Sequence, residues 1–322
     1  MTVYYQDEQV TLLLGDALET LRTLPAASVD CVVTSPPYYG LRDYGFTGQY
    51  GLEPSMGEYV ETMRQVFAEA RRLLAADGTL WLNLGDCYAA PPPGRGDMRS
   101  STLDSSAGQA AVMRESVRTA GIDRSRQVPA KNLLGIPWRV AFALQDDGWI
   151  LRNDIVWHKP SAMPESVTDR LSSRYEHLFM LAKSPRYWFD LDAIREPHQT
   201  DWAGGRQTFL GRNLNHPRSS TGPYTGRNPR GRNPGDVWAI ATQPYPEAHF
   251  AVFPPRLPQR CIKAGCKPGG TVLDPFSGSG TTGHAARMLG RKYVGIDLNP
   301  TYHDFAVKRF AQGVLDFEGT AS

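Results

Sequence analysis

Four cysteines in 322 residues, Cys31, Cys87, Cys261 and Cys266, leave little for a disulfide framework, and no C-x-x-C pair suggests a zinc site. That scarcity fits a reduced, cytoplasmic setting. No apolar run approaches the roughly 18 residues that would span a bilayer, and no basic-plus-apolar leader opens the chain, so neither membrane insertion nor export is expected. Net charge is only +2, with a pI near 8.3, so the overall balance names no partner and only the distribution of charge is informative. No Gly-Lys-Ser/Thr occurs, which excludes a phosphate-loop NTPase, and no internal repeat is visible. What remains is a chain long enough for one large α/β domain with an insert, or for two domains.

Two stretches carry the chemistry. In the first, the apolar run Cys31-Val32-Val33 leads into Thr34-Ser35-Pro36-Pro37-Tyr38. A β-branched run stopped by two prolines reads as a buried strand whose carboxyl end opens into a rigid loop, because proline cannot continue a central ladder. Proline has no N–H, so Ser35-Pro36-Pro37 offers carbonyls and one hydroxyl, a site suited to a group with two N–H donors, such as the exocyclic amine of a base. Tyr38 adds a flat face on which an unstacked base could lie. The plainer alternative is a proline-rich turn with a half-buried tyrosine.

The second stretch, Thr271-Val272-Leu273-Asp274-Pro275-Phe276-Ser277-Gly278-Ser279-Gly280-Thr281-Thr282-Gly283, reads as strand, glycine-rich turn and helix. Gly278, Gly280 and Gly283 would let the backbone approach a ligand, and the helix amino end offers free N–H groups to a carboxylate or other anion. A following strand, Tyr293 to Asp297, ends in an acid placed to hold ribose hydroxyls. A nicotinamide dehydrogenase would use the same G-x-G-x-x-G pattern, but it leaves Ser35-Pro36-Pro37-Tyr38 without a purpose.

Together the two stretches resemble the signatures of the amino-group DNA methyltransferases, which methylate cytosine N4 or adenine N6 with S-adenosylmethionine. The order, catalytic motif first and cofactor motif last, is similar to the permuted class called beta. The resemblance implies a doubly wound, mostly parallel, seven-stranded α/β sheet, a Rossmann-like methyltransferase fold with an inserted DNA-recognition region. It also implies S-adenosylmethionine as cofactor, a base flipped out of double-stranded DNA as substrate, and a place in restriction and modification. It leaves open a cognate restriction endonuclease and a homodimer. Methylation at cytosine C5 would need a cysteine after a proline, and no Pro-Cys occurs. Serine at position 35, rather than Asp or Asn, resembles the cytosine-N4 members more than the adenine-N6 ones. A catalytically inert DNA-binding relic is the remaining alternative, against which the intact motifs speak.

On that resemblance, Ser35, Pro36, Pro37 and Tyr38 are the catalytic residues. Asp274, Pro275, Phe276, Gly278, Ser279, Gly280, Thr281, Thr282 and Asp297 form the cofactor site. His249, Phe250 and Phe253 would line the cofactor's methionine end, and Asp16 would approach its adenine, although Asp16 is also a plain N-cap candidate. His158 and Lys159 lie in a segment similar to one near the target base. Seven arginines, including Arg206, Arg212, Arg218, Arg227, Arg230 and Arg232, outnumber the acids Glu196 and Asp201 across residues 195 to 235, a balance that favours phosphates and guanine edges. The expected divisions are 1–184 for the catalytic part, containing a flexible basic loop over 88–131, 185–245 for target recognition and 246–322 for the cofactor-binding part. Further elements are a capped helix from Ser55 to Asp77-Gly78, a strand from Thr79 to Leu84, a helix from Ile136 to Asp147, and two antiparallel strands, Trp149 to Trp157 and His177 to Lys183.

Overall fold

The computed structural model describes residues 2–43, 45–89, 128–198, 228–243 and 253–311. In chain order the elements are β1 (Thr2–Gln6), β2 (Val10–Leu14), α1 (Ala17–Thr23), β3 (Val29–Thr34), α2 (Met56–Leu73), β4 (Leu74–Leu84), α3 (Ile136–Asp146), β5 (Ile150–His158), β6 (Tyr175–Ala182), a 3-10 turn at Asp192–Ile194, β7 (Val237–Ala239), α4 (Arg256–Gly265), β8 (Thr271–Asp274), α5 (Thr281–Met288), β9 (Lys292–Asp297) and α6 (Pro300–Ala311). The strands form one sheet in the order β1-β2-β9-β8-β3-β4-β6-β5-β7. From β2 to β4 every pairing is parallel, whereas β6 runs against both β4 and β5.

Alternation along the central strands explains the two covered faces. Val32, Leu80 and Leu82 point to one side, where Met63, Phe67, Val140 and Leu144 of α2 and α3 bury them. Cys31, Val33 and Trp81 point to the other, beneath Leu257, Cys261 and Ile262 of α4 and Ala285 and Ala286 of α5. A parallel sheet buried on both faces needs such apolar runs. Nine strands stand where seven were expected, because β1 adds antiparallel to one edge and β7 adds parallel to the other. Among the described residues, no helix is long and apolar enough to cross a membrane.

Several boundaries differ from the sequence expectation. Ser55 does cap α2, accepting from the Glu58 N–H at 3.2 Å, but the helix stops at Leu73 and β4 starts at once, with a register shift between its Leu74 and Thr79 pairings to β3. Asp77-Gly78 thus lies within a strand irregularity and does not end the helix. The expected 88–131 loop falls mostly outside the described residues. Its ends meet, with Ala89 and Lys131–Asn132 exchanging backbone hydrogen bonds of 2.8 Å.

β3 and β8 are neighbours at the middle of the sheet. From β3 the chain crosses through α2 to β4 on one side, and from β8 it crosses through α5 to β9 on the other. This is the reversal of strand order at which open α/β sheets form their crevice.

Candidate active site

The loop after β3 is fixed from below and from the side. Thr34 donates its hydroxyl to Asp274 at 2.6 Å, and Tyr59 of α2 donates to the Pro37 carbonyl at 2.9 Å. Tyr39 is fully buried against Tyr59, so the chain dives into the core directly after the motif. Tyr38 lies over Gly85, where a Cβ would come within 2.5 Å of its ring, so only glycine permits this placement. Its hydroxyl accepts from Ser35 at 3.3 Å and approaches Asn83 Oδ1 at 3.2 Å and Glu176 Oε2 at 2.7 Å. Burial first, and the Glu176 charge second, push the phenol well above the usual tyrosine range.

The loop after β8 is held mostly by the ends of its own strands. Asp274 accepts from Thr34 and, at 3.1 Å, from the Phe276 N–H, so its carboxylate braces the two loops against each other. Asp297 at the end of β9 accepts from Gly278 N–H and Asn299 N–H, each at 2.8 Å. Burial pushes both carboxyls up to about 6. The three glycines divide by function. Gly278 has φ +49 and open space where a Cβ would be, whereas a Cβ on Gly280 would meet Ala306 of α6 at 2.7 Å and one on Gly283 would meet Tyr293 at 2.5 Å. Of these three, therefore, Gly278 leaves room for close approach to a ligand, and the other two serve packing. Ser279 Oγ is buried with no hydrogen-bond partner among the described residues, an orphan donor that a polar ligand would satisfy. Thr281 receives the buried Arg309 side chain, and Thr282 donates to the Val33 carbonyl at 3.4 Å.

These two loops face one cavity of about 370 Å³. Ser35, Pro36, Pro37 and Tyr38 form one wall, and Asp274, Pro275, Phe276, Gly278, Ser279 and Thr281, with Asp297 and Phe253, form the other. Gly280 and Thr282 lie behind that wall. Asp16 also stands back from it: the carboxylate caps α1 through the Glu19 N–H and accepts from Tyr50 at 2.8 Å, and the Tyr50 ring, set edge-on to Phe276 at 5.4 Å, reaches the cavity instead. The open Gly278, the orphan Ser279 hydroxyl and the half-buried acid Asp297 suit a ligand bearing both a carboxylate and vicinal hydroxyls, as S-adenosylmethionine does.

Of the residues expected at DNA, Lys159 lines the cavity, pairs with Glu176 and lies 4.5 Å from the Trp157 ring centre. His158 ends β5 and does not line the cavity. Arg230 pairs with Asp192 at 2.6 Å and is 69% exposed, whereas Arg232 shares Glu196 with Arg260. Arg206, Arg212, Arg218, Arg227, His249 and Phe250 lie outside the described residues. The sequence reading missed Asn83, Trp157, Glu176 and Tyr50. A signal existed for two of them: Asn83 interrupts the apolar run of β4, and Glu176 is the lone acid of β6.

A family described as DNA methylase matches residues 29–308. The Type II methyltransferase M.Cfr9I of Citrobacter freundii is 46% identical over 299 residues, covering 93% of this chain and 87% of that one. M.SmaI of Serratia marcescens is 41% identical over 298 residues, covering 92% and 89%. In fold, the chain is similar to the cytosine-N4-specific PvuII DNA methyltransferase, at 20% identity with a TM-score of 0.63 over 96% of this chain and 88% of that one. It is also similar to a Thermus thermophilus protein described as a DNA modification methylase and complexed with S-adenosyl-L-methionine, at 25% identity with a TM-score of 0.58 over 95% of each chain.

Proposed function

The chain belongs to the amino-group DNA methyltransferases, which use S-adenosylmethionine, and on that premise we propose that it methylates cytosine at N4 within double-stranded DNA. The observation that carries the reading is the cavity shared by Ser35-Pro36-Pro37-Tyr38 and the Asp274–Asp297 loops. Serine at the head of the first motif supports cytosine over adenine, in line with the resemblance of that motif to the cytosine-N4 members.

The bound cofactor supplies an electrophilic methyl group. The chain's own residues hold and orient. Asp297 would hold the ribose hydroxyls, and Gly278, Ser279 and the amino end of α5 would hold the carboxylate end. Phe253 would line the methionine end, a role that the resemblance also gives to His249 and Phe250, and Asp16 would act on the adenine side through Tyr50. The exocyclic amine of cytosine is a poor nucleophile, since its lone pair is delocalised into the ring. Hydrogen bonds from its two N–H groups to Ser35 Oγ and the Pro36 carbonyl favour a pyramidal nitrogen, and Tyr38 retains the flipped ring. Residues 185–245 serve target recognition in this reading, and their arginines meet the DNA backbone and base edges.

Adenine N6 is the alternative, and one relative favours it: the DNA adenine methyltransferase YhdJ of Escherichia coli, 26% identical over 95% of this chain. Methylating mixed-sequence DNA, digesting it to nucleosides and weighing the product decides between them. N4-methylcytosine is expected, and N6-methyladenine would overturn the choice of base.

A further inference from the structure

The cavity wall contains polar residues that neither motif accounts for. Glu176 enters from the start of β6, opposite Trp157 of β5 in the sheet register, and Lys159 follows from the end of β5. The side chains of Lys159 and Glu176 are only 20% and 15% exposed. Burying a charge pair is costly, and breaking one by removing a partner costs more, so such a pair at a cavity wall asks for a purpose.

The hydrogen bonds give one. Ser35 Oγ donates to the Tyr38 hydroxyl at 3.3 Å, and that hydroxyl donates to Glu176 Oε2 at 2.7 Å. A phenol has one proton, and of its two acceptors the closer and charged one, Glu176 rather than Asn83 at 3.2 Å, takes it. Lys159 occupies the other carboxylate oxygen, Oε1, and balances its charge. Every donor in the chain therefore points from Ser35 toward Glu176, and the lone pairs of Ser35 Oγ are left for an incoming N–H.

We propose that Ser35, Tyr38 and Glu176 form a proton relay. When the amine nitrogen bonds to the methyl carbon, the carbon–sulfur bond breaks with its electron pair going to sulfur, and the nitrogen must shed one proton. That proton passes to Ser35 Oγ as the Ser35 proton passes to Tyr38 and the Tyr38 proton to Glu176. The products are a neutral methylated amine, a neutral thioether and a protonated Glu176, which returns its proton to solvent before the next turnover. Glu176 thus acts through Tyr38 and does not touch the base. The inference rests on the reading that Ser35 holds the amine, and it holds for either base.

The test compares the parent with Glu176→Gln, Tyr38→Phe, the double variant and Glu176→Asp, using single-turnover methyl transfer at saturating cofactor and cognate DNA across pH, together with equilibrium DNA binding. Glutamine keeps the bond to Tyr38 and removes the proton acceptor, so a rate loss on the order of 10²-fold is expected with DNA affinity unchanged. Tyr38→Phe should lose a similar factor, the double variant should be no slower than the worse single, and Glu176→Asp should recover part of the loss. The charged or titratable groups facing Glu176 are Tyr38 and Lys159; His177 pairs with Asp154 at 2.8 Å, one residue along the strand. Asp274 and Asp297, also on the cavity, contribute an acid limb to every variant, so the limb present in the parent and missing from Glu176→Gln is the part that reports Glu176. A Glu176→Gln enzyme with the parental rate and acid limb overturns the relay, as does a loss confined to DNA affinity or additive loss in the double variant. If Ser35→Ala also keeps the parental rate, the amine-holding reading itself fails; if Ser35→Ala is impaired while Glu176→Gln is not, only the relay fails.

Discussion

The two loops that leave the sheet at its reversal point meet the same cavity by different means. The loop after β8 is closed largely on itself: bonds between Asp274 and Phe276, between Asp297 and Gly278 and between Ser277 and Tyr293 all fall within about one strand-helix-strand unit. The loop after β3 takes one brace from nearby, Tyr59 on the Pro37 carbonyl, but its Tyr38 hydroxyl is held from farther along the chain, by Asn83 and by Glu176, 138 residues away. One loop is a preformed cradle, whereas the other is a cavity-facing set of acceptors positioned by the rest of the sheet. The bond between Thr34 and Asp274 couples them.

Breaking that coupling has the largest expected effect. Asp274→Ala leaves the buried Thr34 hydroxyl and the Phe276 N–H without their acceptor, at about 1–3 kcal/mol for each orphaned group, so denaturant unfolding should show a loss of several kcal/mol. Asp274→Asn, which retains an acceptor oxygen, should lose less. If Ala and Asn variants unfold alike, the brace is unimportant.

A smaller effect sharpens the contrast from the cradle side. Asp297→Ala should weaken S-adenosylmethionine binding by roughly 1.5–3 kcal/mol in calorimetry, because a charge-assisted acceptor is lost while the Gly278 N–H loses its anchor. In the parent, ligand hydroxyls favour ionised Asp297, so affinity should decline as pH falls through about 6, and the variant should lack that decline. Stability runs the other way. Both carboxyls titrate higher in the fold than their ordinary value of 3.8, so the stability they contribute is fully present below that value and is lost as pH rises through about 6. A parent whose affinity is flat from pH 5 to about 7 would remove Asp297 from the cofactor site.

The same contrast explains what could be read from the sequence. The elements that build the cradle, from Asp274 to Asp297, lie within about twenty-five residues, so strand, glycine turn, helix and terminal acid are visible as one local pattern. The doubly wound, mostly parallel class of the sheet followed from the motifs and their resemblance, and the antiparallel pairing of β5 with β6 from two neighbouring strand patterns. Glu176 gave no local sign of meeting Tyr38, nor Lys159 of meeting Glu176, because only the antiparallel placing of β6 between β4 and β5 brings them together. Gly280 and Gly283 read as ligand contacts, but α6 and Tyr293 occupy the space beside them. The short edge strands β1 and β7 escaped notice because three to five residues, with Trp238 alone among them buried, carry too little pattern.

The smallest expected effect concerns the arginine-rich segment. Arg230 is exposed, so Arg230→Ala should lower the salt dependence of DNA binding by about one unit of slope and leave cofactor affinity alone. Arg232→Ala should change the slope less, since its guanidinium already shares Glu196 with Arg260. Equal slopes for the parent and both variants would make these arginines structural.

The division between a cradle that holds the methyl donor and a loop that holds the amine is tested most directly by Ser35→Ala in single turnover on cognate DNA. The proline-fixed backbone and the Pro36 carbonyl remain while one hydroxyl disappears. Loss of one preorganised hydrogen-bonding group predicts a fall on the order of 10²-fold in the methyl-transfer rate, with cofactor affinity unchanged and DNA affinity nearly so. A Ser35→Ala enzyme that transfers methyl at the parental rate would contradict the role given to this loop.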